Sequence, residues 1–147
     1  MAMRLRAAVL ILGMVAALPA AALEYLSIAE PALAYDAPSR QGTPLYAFAR
    51  GTPVEAIVVL DAWVKVRDAG GGLAWAEKRQ LSEKRMLIVV AERAQVRVQP
   101  DDSAALVFEA ERDVLLEYVE LGPTGWVKVQ HRGGQQGYVK NLQVWGL

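Results

Sequence analysis

From residue 63 the chain alternates in character. Trp63, Lys65 and Arg67 fall on one side of an extended segment, and Val64 and Val66 fall on the other. A side that carries Lys and Arg faces water, so the two valines are expected in a core and Trp63 at the surface. The alternation returns in Trp126-Val127-Lys128-Val129, which places Trp126 beside Lys128 and over two further core valines. Short apolar runs occupy 26–28, 45–48, 54–60 and 73–76, and again 87–90, 106–108, 114–121 and 137–139. They have the length and the β-branched and aromatic content of strands. The window 83–90 has some helical character, but its β-branched, apolar end argues for strand.

Between the runs, Gly and Pro set turns: Ala37-Pro38-Ser39, Arg50-Gly51-Thr52-Pro53, and Gly70-Gly71-Gly72 facing Gly133-Gly134. Turns spaced roughly 8–12 residues apart predict a small barrel or sandwich. Gly70-Gly71-Gly72 lacks the Lys-Ser/Thr and the following helix of a phosphate loop, and reads as a hairpin turn.

The pattern occurs twice. At a spacing of 62, Ala29, Glu30, Ala32, Pro38, Arg50 and Glu55 meet Ala91, Glu92, Ala94, Pro100, Arg112 and Glu117. From the tryptophans onward the spacing is 63, and Gly70, Gly71 and Gln80 meet Gly133, Gly134 and Gln143. The extra residue falls in Leu121-Gly122-Pro123-Thr124-Gly125, which reads as a loop, where a structural repeat tolerates insertion. The chain is one small module built twice, 23–84 and 85–147, and the short linker near Ser82 to Arg85 requires close packing of the two.

The first segment, 1–22, reads as a secretory signal. Arg4 and Arg6 precede an apolar run from Ala7 to Leu18, then Pro19 and the small residues Ala20-Ala21-Ala22, with cleavage expected before Leu23. An uncleaved membrane anchor is the competing reading. The run falls short of the roughly 20 residues that a bilayer span needs, which favours cleavage and no stable membrane span afterwards. No Cys stands at the position required for lipid attachment.

The chain has no cysteine at all, which excludes disulfides, thiol nucleophiles, redox chemistry and Cys-type zinc sites. Each module therefore depends on its core and its neighbour. The 16 basic and 16 acidic residues balance, and loss of Arg4 and Arg6 with the signal leaves a slight acidic excess. Basic residues are interspersed with acids, as in Glu77-Lys78-Arg79, so nothing points to nucleic acid.

Val96-Arg97-Val98-Gln99-Pro100-Asp101, Gly125-Trp126-Val127-Lys128-Val129 and Gly137-Tyr138-Val139-Lys140 resemble the bacterial SH3-like (SH3b) pattern. That pattern is a V-R-x-x-P turn, a G-W-x-x-V strand and a G-Y/W-V closing strand. Ala34-Tyr35-Asp36-Ala37-Pro38-Ser39, Ala62-Trp63-Val64-Lys65-Val66 and Ala74-Trp75-Ala76 form a looser copy. The resemblance covers nearly the whole chain after the signal. It implies an all-β fold of two SH3-like barrels in tandem, a fold that hosts many unrelated roles. The chain is also similar to exported bacterial proteins made of little beyond such repeats, which implies an envelope location and no assigned activity.

Strand alternation sends Tyr138 outward with Val139 inward, and makes Trp75 the counterpart of Tyr138. Tyr35-Asp36 resembles the Tyr-Asp step of SH3 ligand grooves. Tyr35, Trp63 and Trp75 are thus a candidate aromatic shelf in the first repeat, and Trp126 and Tyr138 in the second, where Arg97 stands at the position of Tyr35. Exposed aromatics in a shallow groove suit extended peptides or sugar-peptide chains. Packing between the two modules is the other use open to them.

Catalysis has little support. His131 is the only histidine and sits at the entrance of a Gly-rich turn, without the positioned partner that acid–base work needs. Asp101-Asp102 and Glu109-Ala110-Glu111 read as solvated loop charges, lacking the converging partners of a metal or glycosidase site. No cofactor and no metal is expected. The expected role is a non-enzymatic binding module, periplasmic or otherwise exported. Its expected partner is peptidoglycan peptide or glycan by family analogy, or, as the alternative, an envelope protein docked on a scaffold.

Overall fold

The computed structural model describes residues 24–147, so the expected signal segment lies outside the described residues. The first module contains β1 (Glu24–Ile28), β2 (Ala32–Tyr35), β3 (Pro44–Phe48), β4 (Pro53–Val59), β5 (Trp63–Arg67), β6 (Leu73–Glu77) and β7 (Leu81–Ser82). The second contains β8 (Met86–Val89), β9 (Arg93–Arg97), β10 (Leu106–Glu111), β11 (Leu115–Leu121), β12 (Trp126–Gln130), β13 (Gln136–Lys140) and β14 (Val144–Trp145). The sheets run β3-β2-β6-β5-β4-β1-β7 and β10-β9-β13-β12-β11-β8-β14, one permuted order used twice. Apart from a 3-10 turn at Lys78–Gln80 and another at Asn141–Gln143, the described chain is all β. The expectation of two tandem SH3-like barrels holds.

Alternation explains the cores. Val64 and Val66 are 1% and 0% exposed, and Val127, Val129 and Val139 are fully buried. The intervening Trp63, Lys65, Trp126 and Lys128 stay partly exposed. Ile28, Phe48 and Val54 fill the first core with small residues from β2 and β6, among them Ala34 and Ala76. Leu87, Val96 and Leu116 join the valines in the second. Each such side chain contributes roughly 1.5–3 kcal/mol of burial energy. Strands β2 and β9 did not stand out as apolar runs, because alanine and polar residues carry their alternation, and β7 and β14 are only two residues long.

Irregularities repeat as well as regular structure. Ladder register shifts between Ala56 and Val58 in β4 and between Tyr118 and Glu120 in β11, so Ile57 and Val119 are matching bulge residues. Bulges bend strands, which lets a short sheet curl around a core of this size. The extra residue of the second module falls in a loop, as expected. The Leu60 amide donates to the Trp63 carbonyl at 2.8 Å, and the Gly122 amide to the Trp126 carbonyl at 3.0 Å. Inside this shared closure the second module adds Gly125, whose φ of 89° supplies the left-handed step of the longer hairpin loop.

The modules meet through residues that do not correspond in the repeat. Tyr25 of β1 stands edge-on to Trp145 of β14, with ring centroids 5.2 Å apart. The positions matching these in the other module are Met86 and Ser82, by strand register. Arg85, in the connector, places its guanidinium 5.6 Å from the Tyr25 ring and 5.1 Å from the Tyr118 ring. Its Nη2 donates to the Gly146 carbonyl at 2.7 Å. Ser27 Oγ, buried at the end of β1, donates to the Lys84 carbonyl at 2.8 Å. The connector is thus held along its length, and its brevity is matched by direct packing.

Candidate binding faces

In the first module the register of β5, β6 and β2 sets an outward row. Lys65 lies opposite Trp75, and Trp75 lies opposite Tyr35. One step along, Trp63 lies opposite Glu77. Directly opposed residues share a face of the sheet, so the three candidate aromatics and Glu77 are together on it. Tyr35 closes edge-on against Trp63 with centroids 5.8 Å apart. Tyr35, Trp63 and Trp75 are all half-buried, and the inter-module contacts described above are made by other residues.

Charge frames the row. Arg40, in the β2–β3 loop, grips Glu77 with two hydrogen bonds, Nε to Oε1 at 2.8 Å and Nη2 to Oε2 at 2.9 Å. Arg79 Nε donates to Glu77 Oε2 at 2.8 Å. These bonds, from Arg40 first and then Arg79, hold the Glu77 carboxyl at about 2, well below the ordinary range. The carboxylate therefore stays charged across the physiological range. Tyr35, Leu33, Arg40, Glu77 and Arg79 line a shallow depression of about 330 Å³ at one end of the row.

The second module repeats this geometry with a different charge. Trp126 lies opposite Lys140, Lys128 opposite Tyr138, and Tyr138 opposite Arg97. Lys140 Nζ is 5.7 Å from the Trp126 ring and Lys128 Nζ 5.9 Å from the Tyr138 ring, both within cation–π reach. Asp102 holds Lys140 at 2.6 Å, and Glu120 stands 3.7 Å from Lys128. Arg97 is committed to its own loop, donating to the Ala104 carbonyl and to Gln95 Oε1. Where the first face carries Glu77, the second carries Lys140, and where the first has Tyr35, the second has Arg97.

Arg40, Glu77 and Lys140 were not singled out from the sequence as site residues, and Asp102 was read there as a solvated loop charge. The exchange of Glu77 for Lys140 between aligned repeats was the available signal. Asp102 reads as a free loop charge until folding brings it to Lys140. His131 accepts a long hydrogen bond of 3.4 Å at Nδ1 from the Gly133 amide, the place in the turn that Asp68 Oδ1 fills for Gly70 at 2.9 Å. Among the described residues, no three His, Asp or Glu side chains converge in a way that could hold a metal ion. No described helix is long and apolar enough to cross a membrane.

A family model described as bacterial SH3 domain matches this chain twice, over residues 29–83 and 90–146. Among solved structures, NlpC2 from Trichomonas vaginalis is similar with a TM-score of 0.39 and 14% identity, over 84% of this chain and 48% of that one. NlpC1 from the same organism is similar with a TM-score of 0.39 and 15% identity, over 91% and 50%. The chain spans about half the length of these two proteins. No curated protein matches it.

Proposed function

The chain belongs to the bacterial SH3 domain family, and from that premise we propose a non-enzymatic binding module of the cell envelope, which recognises peptidoglycan peptide or glycan along its aromatic faces. The observation that carries this reading is the outward row of Tyr35, Trp63 and Trp75, in which Tyr35 already braces Trp63. Rigid aromatic surface gives an extended ligand wide apolar contact at a small ordering cost. The flanking Lys65, Arg40 and Glu77 supply polar partners for amide, hydroxyl and carboxyl groups. In the second module Trp126 and Tyr138, with Lys128 and Lys140, offer a more cationic version of the same face. A periplasmic or otherwise exported location belongs to the same proposal and rests on the 1–22 segment.

Co-sedimentation of the purified protein with isolated peptidoglycan tests this reading, with a Tyr35→Ala/Trp63→Ala variant beside it. Pelleting of the wild type and its loss in the folded variant are expected. No pelleting by the wild type removes the wall ligand and favours the second reading, a scaffold that docks an envelope protein. That reading has its own support in β4 and the residue after it, where Ile57, Val58, Val59 and Leu60 are 43%, 40%, 52% and 43% exposed.

A further inference from the structure

Between the modules, away from both aromatic faces, lies a cleft of about 570 Å³. The first module contributes Ile28 and Arg50, the connector Lys84, and the second module Glu117, His131 and Arg132. The volume lies within the range of small-molecule sites, roughly 300–1,000 Å³. The contacts of Tyr25, Arg85 and Trp145 fix one wall against the other, so the cleft is preformed.

Its charge is uneven in a way that the repeat makes visible. In the first module Glu55 is buried and pairs with Arg67 across β4 and β5. In the second the matching pair is Glu117 and Gln130, and Glu117 is taken by Lys84 at 2.5 Å. The only carboxylate lining the cleft is thereby neutralised. The turn that faces the cleft has changed the other way, because Asp68-Ala69 of the first module is matched by His131-Arg132 in the second. Arg50 and Arg132 take part in none of the ion pairs among the described residues. Two arginines without acidic partners, one from each module, thus line a single concave space.

We infer that this cleft is a second binding site, for a small ligand that presents an oxyanion, either a carboxylate or a phosphate, between Arg50 and Arg132. Guanidinium forks match both groups bidentately, and Ile28, Met86 and Leu115 line the same cleft with apolar side chains. The site exists only in the tandem. Arg112, the counterpart of Arg50, lies instead beside Glu92, Arg93 and Glu111.

Amide shift mapping by NMR on the full chain, as recovered from an exporting host, tests the inference. Three probes are titrated: inorganic phosphate, N-acetyl-alanyl-alanine with a free carboxylate, and the C-terminal amide of the same dipeptide. Saturable shifts at Gly51 and at His131 to Gly133 with phosphate or the acid, and none with the amide, are expected; which probe acts identifies the oxyanion. Arg50→Gln/Arg132→Gln should weaken that binding by about tenfold or more, as loss of charge-assisted hydrogen bonds implies, with an unchanged melt. Arg132→Ala, the residue that the first module carries there, should give a partial loss. The absence of saturable shifts with both oxyanions overturns the inference, as does binding undiminished in the variants. Wall pelleting is read separately, so failure of the aromatic-face proposal leaves this result standing.

Discussion

Tyr35 stands edge-on to Trp63, with centroids 5.8 Å apart and planes at 82°, and joins two strands that are not neighbours in the sheet. The contact fixes the ring of Trp63 from the side while leaving it partly exposed. An aromatic pair of this geometry is worth about 0.5–1.5 kcal/mol beyond its buried area. A double-mutant cycle of Tyr35→Ala and Trp63→Ala, read by denaturant melts, should return a coupling energy in that range. Each single variant should stay cooperatively folded; wholesale unfolding of Trp63→Ala would make it a core residue.

Val64 and Val127 are the inward neighbours of the partly exposed tryptophans. Val64→Asp or Val127→Asp buries a charge with no partner in a core of small residues, and should cost more than about 4 kcal/mol and unfold the module that carries it. Circular dichroism melts should show that transition lost. A wild-type melt would invert the assignment of faces.

Gly137 shares its strand position with Ala74, yet the two are not equivalent. A Cβ at 137 would lie 2.6 Å from the Arg97 carbonyl oxygen and 2.7 Å from Val96 Cγ1. The first of these is backbone and cannot swing aside. Gly137→Ala should therefore destabilise the second module by about 1–3 kcal/mol, although the first module carries alanine at the matching position. Unchanged urea stability would mean that β9 and β13 separate freely.

Arg85 ties the connector to both modules through two aromatic rings and the Gly146 carbonyl. Its Nε is buried without a hydrogen-bond partner, so the aliphatic stem and the stacked plane carry much of its contribution. Arg85→Ala should split one calorimetric transition into two, as the modules melt separately. Arg85→Met, which restores bulk, should recover part of the coupling. A single unshifted transition in Arg85→Ala would place the coupling elsewhere.

Glu77 has its folded-state pKa lowered to about 2 by Arg40 and Arg79. A lowered carboxyl stabilises the fold fully above its unfolded value, about 4.3, and that contribution disappears as pH falls toward 2. Carboxyl carbon NMR should follow Glu77 titrating below the other glutamates. Arg40→Gln should move it back toward the ordinary range, and the part of the acid destabilisation due to Glu77 should shrink with it. An unmoved Glu77 in that variant would assign the shift to Arg79.

Much of the fold was legible because strand alternation is local. Val64, Val66, Val127 and Val129 announce their burial through the lysines and tryptophans between them, and the repeat shows where one module ends and its copy begins. The loop that holds the extra residue, Leu121 to Gly125, was legible for the same reason, since it lies between matched strands. Strands β2 and β9 were harder, because alanine carries little apolar signal of its own and is buried here by the sheet that covers it. The aromatic row was half legible. Outward direction followed from alternation, but the pairing of Tyr35 with Trp75 depends on β2 joining β6, a contact between residues forty positions apart.

Charge is where sequence reading stopped. Glu77 lies among basic neighbours in the chain, yet it is gripped by Arg40 from a distant loop as well as by nearby Arg79. Asp102 reaches Lys140, and Lys84 reaches Glu117, by the same kind of long-range meeting. The amino-acid sequence by itself determined two all-β modules, their inward valines, their outward tryptophans and the short connector, because each is written in neighbouring residues. Tertiary structure alone decided which charges pair, and that Arg50 and Arg132 line one cleft. Such distances depend on how strands stack and how two modules dock, and no local periodicity encodes them.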